Sequence, residues 1–169
     1  MILLVSIGDV DAAVLESLRK PLAAVYREEV TVGKALLLPS ESWSSRRRQN
    51  DAEVILDRIP GAAPGVRVLG VVDVDIFVRG LNFVFGLADE AGKRAIISLW
   101  RLRQEVYGLP RDDVLFRRRA LTEAVHELGH TFGLGHCPSA SCVMHFSNSL
   151  PETDAKGWKF CTACRRKLK

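Results

Sequence analysis

Five residues between positions 126 and 136 have the types and the spacing of a catalytic metal site. The pattern is H-E-x-x-H-x-x-G-x-x-H, in which His126, Glu127, His130, Gly133 and His136 are fixed. On a helix, His126 and His130 lie one turn apart and face the same way, so both rings reach one zinc ion. Gly133 permits a left-handed turn, which brings His136 to the same ion from another direction. Three protein ligands leave one coordination position for water and substrate, and this predicts a catalytic zinc.

Glu127 adjoins the first histidine and projects beside the predicted metal position without being a ligand itself. A carboxylate at this position can take a proton from a water that zinc has acidified. The pattern therefore predicts hydrolysis of a polarised carbonyl, with Glu127 as the general base. A bare H-E-x-x-H also arises by accident, whereas the extended form fixes five positions and is far more specific.

A second group of metal ligands follows directly. Its members are the four cysteines of the chain: Cys137, Cys142, Cys161 and Cys164. Their C-x4-C and C-x2-C spacings let each pair bind one ion, and four thiolates close a tetrahedron. Because a closed site has no room for substrate, the predicted role of this second zinc is structural. Two disulfides or four free thiols are the alternatives.

The two predicted metal sites meet at a single peptide bond. His136 belongs to the first site and Cys137 to the second. We therefore predict that the structural site anchors the backbone that presents the third catalytic ligand.

The elements that must position these ligands alternate between strands and helices. Strands are predicted at residues 2–7, 30–38, 66–74, 82–87 and 95–99, with a turn at 89–92 and a loop at 40–50. Helices are predicted at residues 12–20, where Pro21 breaks or restarts the helix, at 51–59, and at 113–132 for the metal-binding motif. At most one short helix is expected after the motif. This order predicts an α/β (α+β) fold with a mixed sheet.

The composition predicts one domain, residues 1–169, in the cytoplasm. A hydrophobic content of 47% supports a core, and residues 1–7 read as a first strand, without the features of a signal peptide. The net charge of +4 equals the charge of the four basic residues among the last five, so the charges of the rest of the chain balance. We interpret this tail as a solvated terminus, with nucleic-acid binding as the alternative.

The motif resembles that of the metzincin clan of metallopeptidases. Cys137 directly after the third histidine, with Met144 and the other cysteines behind it, resembles the archaemetzincin family in particular. The resemblance implies that His126, His130 and His136 bind the catalytic zinc and that Glu127 is the general base and acid. It also implies that Met144 forms the Met-turn beneath the metal. Phe146 stands where some metzincins have a metal-reaching tyrosine, and His145 faces either the cleft or the solvent.

The resemblance also implies a fold. A twisted, mixed five-stranded sheet with backing and active-site helices forms an upper subdomain, residues 1–136. A small irregular lower subdomain, residues 137–169, carries the Met-turn and the structural zinc. Residues 82–87 are the candidate edge strand for binding an extended peptide, with Gly86 allowing close approach. Alternatively, Phe83 and Phe85 simply pack in the core.

We therefore predict a zinc metallopeptidase with two zinc ions that hydrolyses peptide bonds in peptides or proteins. An aminopeptidase-like activity and an endopeptidase activity are both compatible with the sequence. A monomer without nucleic-acid or membrane partners is expected. The first alternative is a zinc-ribbon-like nucleic-acid-binding module, which leaves Glu127 and the three histidines unexplained. The second is a metzincin-fold metal-binding protein with little activity.

Overall fold

The computed structural model describes residues 1–61 and 63–168. The strands are β1 (Ile2–Ile7), β2 (Val30–Val32), β3 (Trp43–Ser44), β4 (Gln49–Asp51), β5 (Arg67–Val72), β6 (Ile76–Phe77), β7 (Gly86–Asp89) and β8 (Arg94–Ser98). The α-helices are α1 (Ala12–Tyr26), α2 (Ala52–Asp57), α3 (Asp113–Thr131), α4 (Leu150–Lys156) and α5 (Thr162–Lys167). Short 3-10 helices lie at Ser40–Ser42, Trp100–Leu102 and Gln104–Tyr107. Within the described residues, every helix is too short or too polar to cross a bilayer.

Five strands form a mixed sheet in the order β2-β1-β5-β8-β7, which confirms the predicted fold class. The first four strands are parallel to one another, and β7 at the edge is antiparallel to β8. A smaller three-stranded sheet, β3-β4-β6, lies apart from the first. Among the described residues, β7 pairs with β8 along one edge, and its other edge is free.

Alternating side chains of the central strands enter two separate cores. In β5, Leu69 and Val71 pack with α1 and α3, whereas Val68 and Val72 pack with α2. This is the period-two alternation of a sheet covered on both faces. The motif helix α3 thus rests on one face, and the opposite face is closed by α2.

Helix α1 continues through Pro21, although the sequence suggests a break there. Proline removes one backbone hydrogen bond, which normally interrupts a helix. Here Leu18, Leu22 and Val25 are buried on both sides of the proline, and this packing offsets the lost bond. Asp11 caps the helix as predicted, accepting a hydrogen bond from the backbone N–H of Ala13.

Several predicted boundaries differ in the structure. β2 ends at Val32, the segment 40–50 contains β3 and part of β4, and two helices follow the motif. The strand predicted at residues 82–87 begins only at Gly86. Before it, the Arg47 guanidinium donates to the carbonyls of Leu81 and Asn82 at 2.7 and 3.0 Å. The stretch before Gly86 is therefore not part of β7.

Candidate active site

The motif helix α3 is positioned by its cap and by the sheet. The Asp112 carboxylate accepts a hydrogen bond from the backbone N–H of Leu115 at 2.8 Å, satisfying a free donor of the first turn. From Arg119 to Gly129 the helix is continuously buried. His126 lies in this buried stretch, His130 follows it and is half-buried, and both side chains face the same side.

The first two histidines are arranged as a metal ligand pair. Their Nε2 atoms lie 3.1 Å apart, while each Nδ1 lies 2.7 Å from a backbone carbonyl, of Val143 for His126 and of Leu134 for His130. Because a carbonyl only accepts, each Nδ1 carries the proton and each Nε2 presents a lone pair. Two facing lone pairs repel unless a cation lies between them. The donor set therefore fits zinc, whose histidine ligands are held in this way.

His136 joins the pair after a left-handed turn. Gly133 has φ +83°, as the sequence predicts, and the chain then doubles back. The His136 ring lies 5.4 Å from that of His126 and 4.9 Å from that of His130, between centroids. One nitrogen from each of the three histidines lies within 4.8 Å of the others. The three predicted ligands are thus brought to one point.

The surroundings keep these histidines neutral, which is the form that binds a metal. Burial lowers the pKa of all three, and most strongly that of His126. The positive charge of Lys156 acts in the same direction on each. For His130, the Leu134 carbonyl and the nearby Glu90 oppose the effect of burial on the pKa.

Glu127 lies against the edge strand of the sheet. A Cβ at Gly86 would come within 2.5 Å of its Cγ and 2.6 Å of its Oε1. Burial raises the pKa of the Glu127 carboxyl well above its ordinary value, and the nearby Glu123 raises it further. Gly86 is therefore the residue whose missing side chain makes room for the carboxylate.

The four cysteines form the second cluster. They are free thiols, and their Sγ atoms lie within 4.8 Å of one another. The backbone N–H of Cys164 lowers the pKa of Cys161 to about 7, whereas burial raises the pKa values of Cys142 and Cys164. Four sulfurs this close together, none of them joined in a disulfide, can hold one metal ion.

The backbone between the two clusters is tied on both sides of Cys137. Its N–H donates to the Met144 carbonyl at 2.9 Å, and its carbonyl lies 2.9 Å from Nδ1 of His145. His145, whose role the sequence left open, therefore binds the joint between the clusters through its Nδ1. The residue after the third histidine is fixed by the segment that contains Met144.

The chain matches the family described as Peptidase family M54 over residues 41–169. It belongs to peptidase family M54. Among its relatives, the archaemetzincin of Pyrococcus abyssi is 47% identical, over 99% of this chain and 94% of that protein. The archaemetzincin of Methanocaldococcus jannaschii is 43% identical, over 96% of this chain and 89% of that protein. Members of this family are zinc metallopeptidases, so the chain is a hydrolase that acts on peptides or proteins.

Solved archaemetzincin structures have the same fold. The structure from Archaeoglobus fulgidus, complexed with malonate, aligns with a TM-score of 0.87 at 36% identity, covering 99% of both chains. That from Methanopyrus kandleri aligns with a TM-score of 0.86 at 38% identity, covering 99% of this chain and 93% of the other. The resemblance to the archaemetzincins predicted from the sequence is thereby confirmed.

In this M54 peptidase, three glutamates, Glu90, Glu123 and Glu127, and all three histidines of the site line a cleft with a volume of about 360 Å³. The upper rim is formed by residues 81–90, which include β7. On the lower side, Phe146 is 44% exposed, and its ring lies 5.1 Å from that of His136. The position where some metzincins carry a tyrosine is thus an apolar wall.

Met144 packs against the motif helix at Gly129, the residue before His130. It is fully buried, and a Cβ at Gly129 would overlap its sulfur. The second variable position of the H-E-x-x-H motif, Gly129, therefore has to be small, because the methionine packs against the helix backbone there. This is the place that the archaemetzincin resemblance implies for a Met-turn.

Sequence reasoning missed a buried ion pair behind the catalytic cluster. Nζ of Lys156, on α4, lies 3.2 Å from Oε1 of Glu123 on α3, and both side chains are almost fully buried. The same Nζ lies 3.2 Å from the His145 carbonyl and 3.4 Å from Nδ1 of His126. The spacing of Glu123 one turn before Glu127 was the available signal, but nothing local pointed to Lys156.

Breaking this pair is expected to destabilise the fold. Lys156→Met leaves the Glu123 carboxylate buried without a counter-charge, which costs about 3 to 5 kcal/mol. The double variant Glu123→Leu with Lys156→Met should regain much of that loss, since no charge stays buried. Urea unfolding followed by circular dichroism measures both. A single variant as stable as the wild type would contradict the assigned pairing.

Gly86→Ala is expected to displace the Glu127 carboxylate. The added Cβ would also come within 2.6 Å of the Ile96 carbonyl, so the strand cannot yield easily. We expect peptidase activity to fall about 100-fold, because misplacing a reacting group by an ångström has this effect. Gly61→Ala is the control, since no heavy atom lies within 4 Å of its added Cβ. Equal kcat/KM values for the two variants would rule out the steric role of Gly86.

Proposed function

We propose that His126, His130 and His136 bind the catalytic zinc of this peptidase and that Glu127 is its general base and acid. The observation that carries the proposal is the distance of 3.1 Å between the Nε2 atoms of His126 and His130. These face the cleft into which Glu127 also projects. The bound zinc supplies an acidified water and polarises the scissile carbonyl. Neutral imidazoles with their protons fixed on Nδ1 hold the ion in place.

Glu127 moves the proton in this proposal. Its carboxylate takes the proton of the attacking water and later gives it to the leaving amine. The contact with Gly86 restricts the carboxylate to one position, level with the start of β7. The free edge of β7 pairs with the extended backbone of the substrate and holds the scissile bond over the histidines. Aminopeptidase-like action is one of the two modes compatible with this arrangement, and endopeptidase action is the other.

Cys137, Cys142, Cys161 and Cys164 bind a second, structural zinc, so we infer two ions per chain. The clustering of four sulfurs and the ties on both sides of Cys137 support this part. We further propose that residues 1–136 form the upper subdomain and residues 137–169 the lower one, within a single catalytic domain. The predictions of a monomer and of a cytoplasmic location belong to the same proposal.

One observation bears on the rival nucleic-acid module. In the basic tail, Arg165 donates to the Val25 carbonyl at 2.5 Å and lies over the Phe160 ring. A guanidinium engaged in this way is less available for phosphate. If the tail binds nucleic acid, neutralising the basic residues at positions 165–169 together should lower the affinity and reduce its salt dependence.

The deciding experiment is cleavage of a peptide library, followed by mass spectrometry, with Glu127→Gln as the control. We expect cleavage by the wild type and none by the variant. A wild type loaded with zinc that cleaves nothing would instead support the metal-binding rival, which the apolar Phe146 at the tyrosine position favours.

A further inference from the structure

The cleft has three carboxylates, and their surroundings differ. Glu123 is paired with Lys156 and buried. Glu127 is buried against Gly86. Glu90 is exposed, and it forms no ion pair with any residue in the ranges 1–61 and 63–168. One carboxylate of the cleft is thus available to a ligand.

Glu90 lies at one end of the cleft. It follows the last residue of β7, and its Oε1 lies 3.3 Å from the point where a Cβ of Gly133 would stand. The side chain therefore reaches from the upper rim to the turn at the end of the motif helix. The opposite end of β7 is Gly86, which contacts Glu127. The strand accordingly runs from the general base toward Glu90.

The direction of β7 fixes which part of a substrate meets Glu90. A peptide that pairs antiparallel with the free edge of β7 has its amino-terminal part beside the carboxyl end of the strand. Antiparallel pairing is both the commoner and the slightly more stable arrangement. A parallel peptide would bring its carboxyl-terminal side to Glu90. Charge repulsion disfavours a terminal carboxylate there, so pairing and charge favour the same direction.

We propose that Glu90 is a specificity-determining residue that binds a cationic group of the substrate on the amino-terminal side of the scissile bond. The group is an ammonium or a guanidinium, supplied either by the free amino terminus or by a lysine or arginine side chain. A charge-assisted hydrogen bond to the carboxylate provides the selectivity. This inference rests on the proposed function, because it needs a peptide aligned along β7.

The test compares three peptides of one parent sequence without other charges. The first has a free amino terminus, the second is N-acetylated, and the third is N-acetylated with one lysine placed in turn at each position before the scissile bond. For the wild type we expect kcat/KM to be about tenfold higher for a cationic peptide than for the neutral acetylated one. Preference for the first peptide identifies the terminus as the source, and preference for the third identifies a side chain.

Glu90→Gln should remove the preference for the cationic peptide over the neutral one, and Glu90→Lys should reverse it. Glu105→Gln is the matched control, because Glu105 is an exposed acid outside the cleft and loses the same charge. An unchanged ratio of cationic to neutral peptide in Glu90→Gln would overturn the proposal. So would a wild type that does not distinguish the three peptides.

A binding measurement separates this inference from the proposed mechanism. In the zinc-loaded Glu127→Gln background, calorimetry with the same three peptides reports recognition without turnover. Tighter binding of a cationic peptide that is lost on adding Glu90→Gln supports the role of Glu90 even if the wild type proves inactive. Equal affinities in both backgrounds refute it, even if Glu127 is the base.

Discussion

Glu127→Gln is expected to lower kcat/KM for peptide cleavage by about 10³-fold, the range in which a positioned general base acts. The amide has nearly the shape of the carboxylate but cannot accept the proton of the attacking water. Its contact with Gly86 should survive, so the fold and the zinc content should not change. Steady-state cleavage of a fluorogenic peptide, with metal analysis of the same sample, measures both expectations.

Glu105→Gln provides the control, since it makes the same substitution at an exposed position far from the histidines in sequence. Glu127→Asp is informative as well, because it keeps the base but withdraws it from the Gly86 contact. We expect it to retain more activity than the glutamine variant. Wild-type turnover by Glu127→Gln with full zinc occupancy would refute Glu127 as the base.

The double variant Cys161→Ser with Cys164→Ser is expected to weaken zinc binding at the histidines by about 10- to 100-fold. Losses of this size are typical when a residue that holds a metal ligand in place is removed. Two sulfurs of the structural site are lost, and the remaining Cys137 and Cys142 cannot close a tetrahedron. Cys137 then loses one of its anchors, and His136 adjoins it. We expect His136 to become disordered before the upper part of the molecule unfolds.

Competition with a zinc-buffering chelator, followed by metal analysis, gives the affinity of each site. Cobalt substitution adds a spectroscopic readout, because the absorption of tetrahedral cobalt differs between nitrogen and sulfur ligand sets. Arg166→Ala is the matched control on the same helix, as an exposed residue that is not a ligand. If the histidine site keeps its wild-type affinity in the double cysteine variant, the two sites are not coupled.

The fold was predictable wherever the pattern is local. β1, the motif helix and the cap at Asp11 lie where the sequence predicts them, because alternation, helical spacing and capping depend on near neighbours. The strand at residues 82–87 was predicted too early, since Arg47 binds the carbonyls that a ladder would have used. The break predicted at Pro21 does not occur, because the leucines on both sides of it are buried in the core, and this tertiary packing cannot be read from local sequence.

By itself the sequence determined the chemistry and the family. One helix and one glycine turn bring the motif residues together, and both depend only on near neighbours in the chain. The sequence therefore predicts the grouping of His126, Glu127, His130 and His136. The adjacent Cys137 identified the archaemetzincins for the same reason. These features require no knowledge of what lies across the cleft.

Only the tertiary structure decided what surrounds those residues. Gly86 against Glu127, Lys156 against Glu123 and Glu90 beside Gly133 are each separated by more than thirty residues along the chain. The path of the backbone between such partners is set by sheet order and packing, and these leave no periodic trace in the sequence. The position of the Glu127 carboxylate, the charge of Lys156 behind the histidines and the exposed Glu90 carboxylate at the end of the cleft follow from that packing.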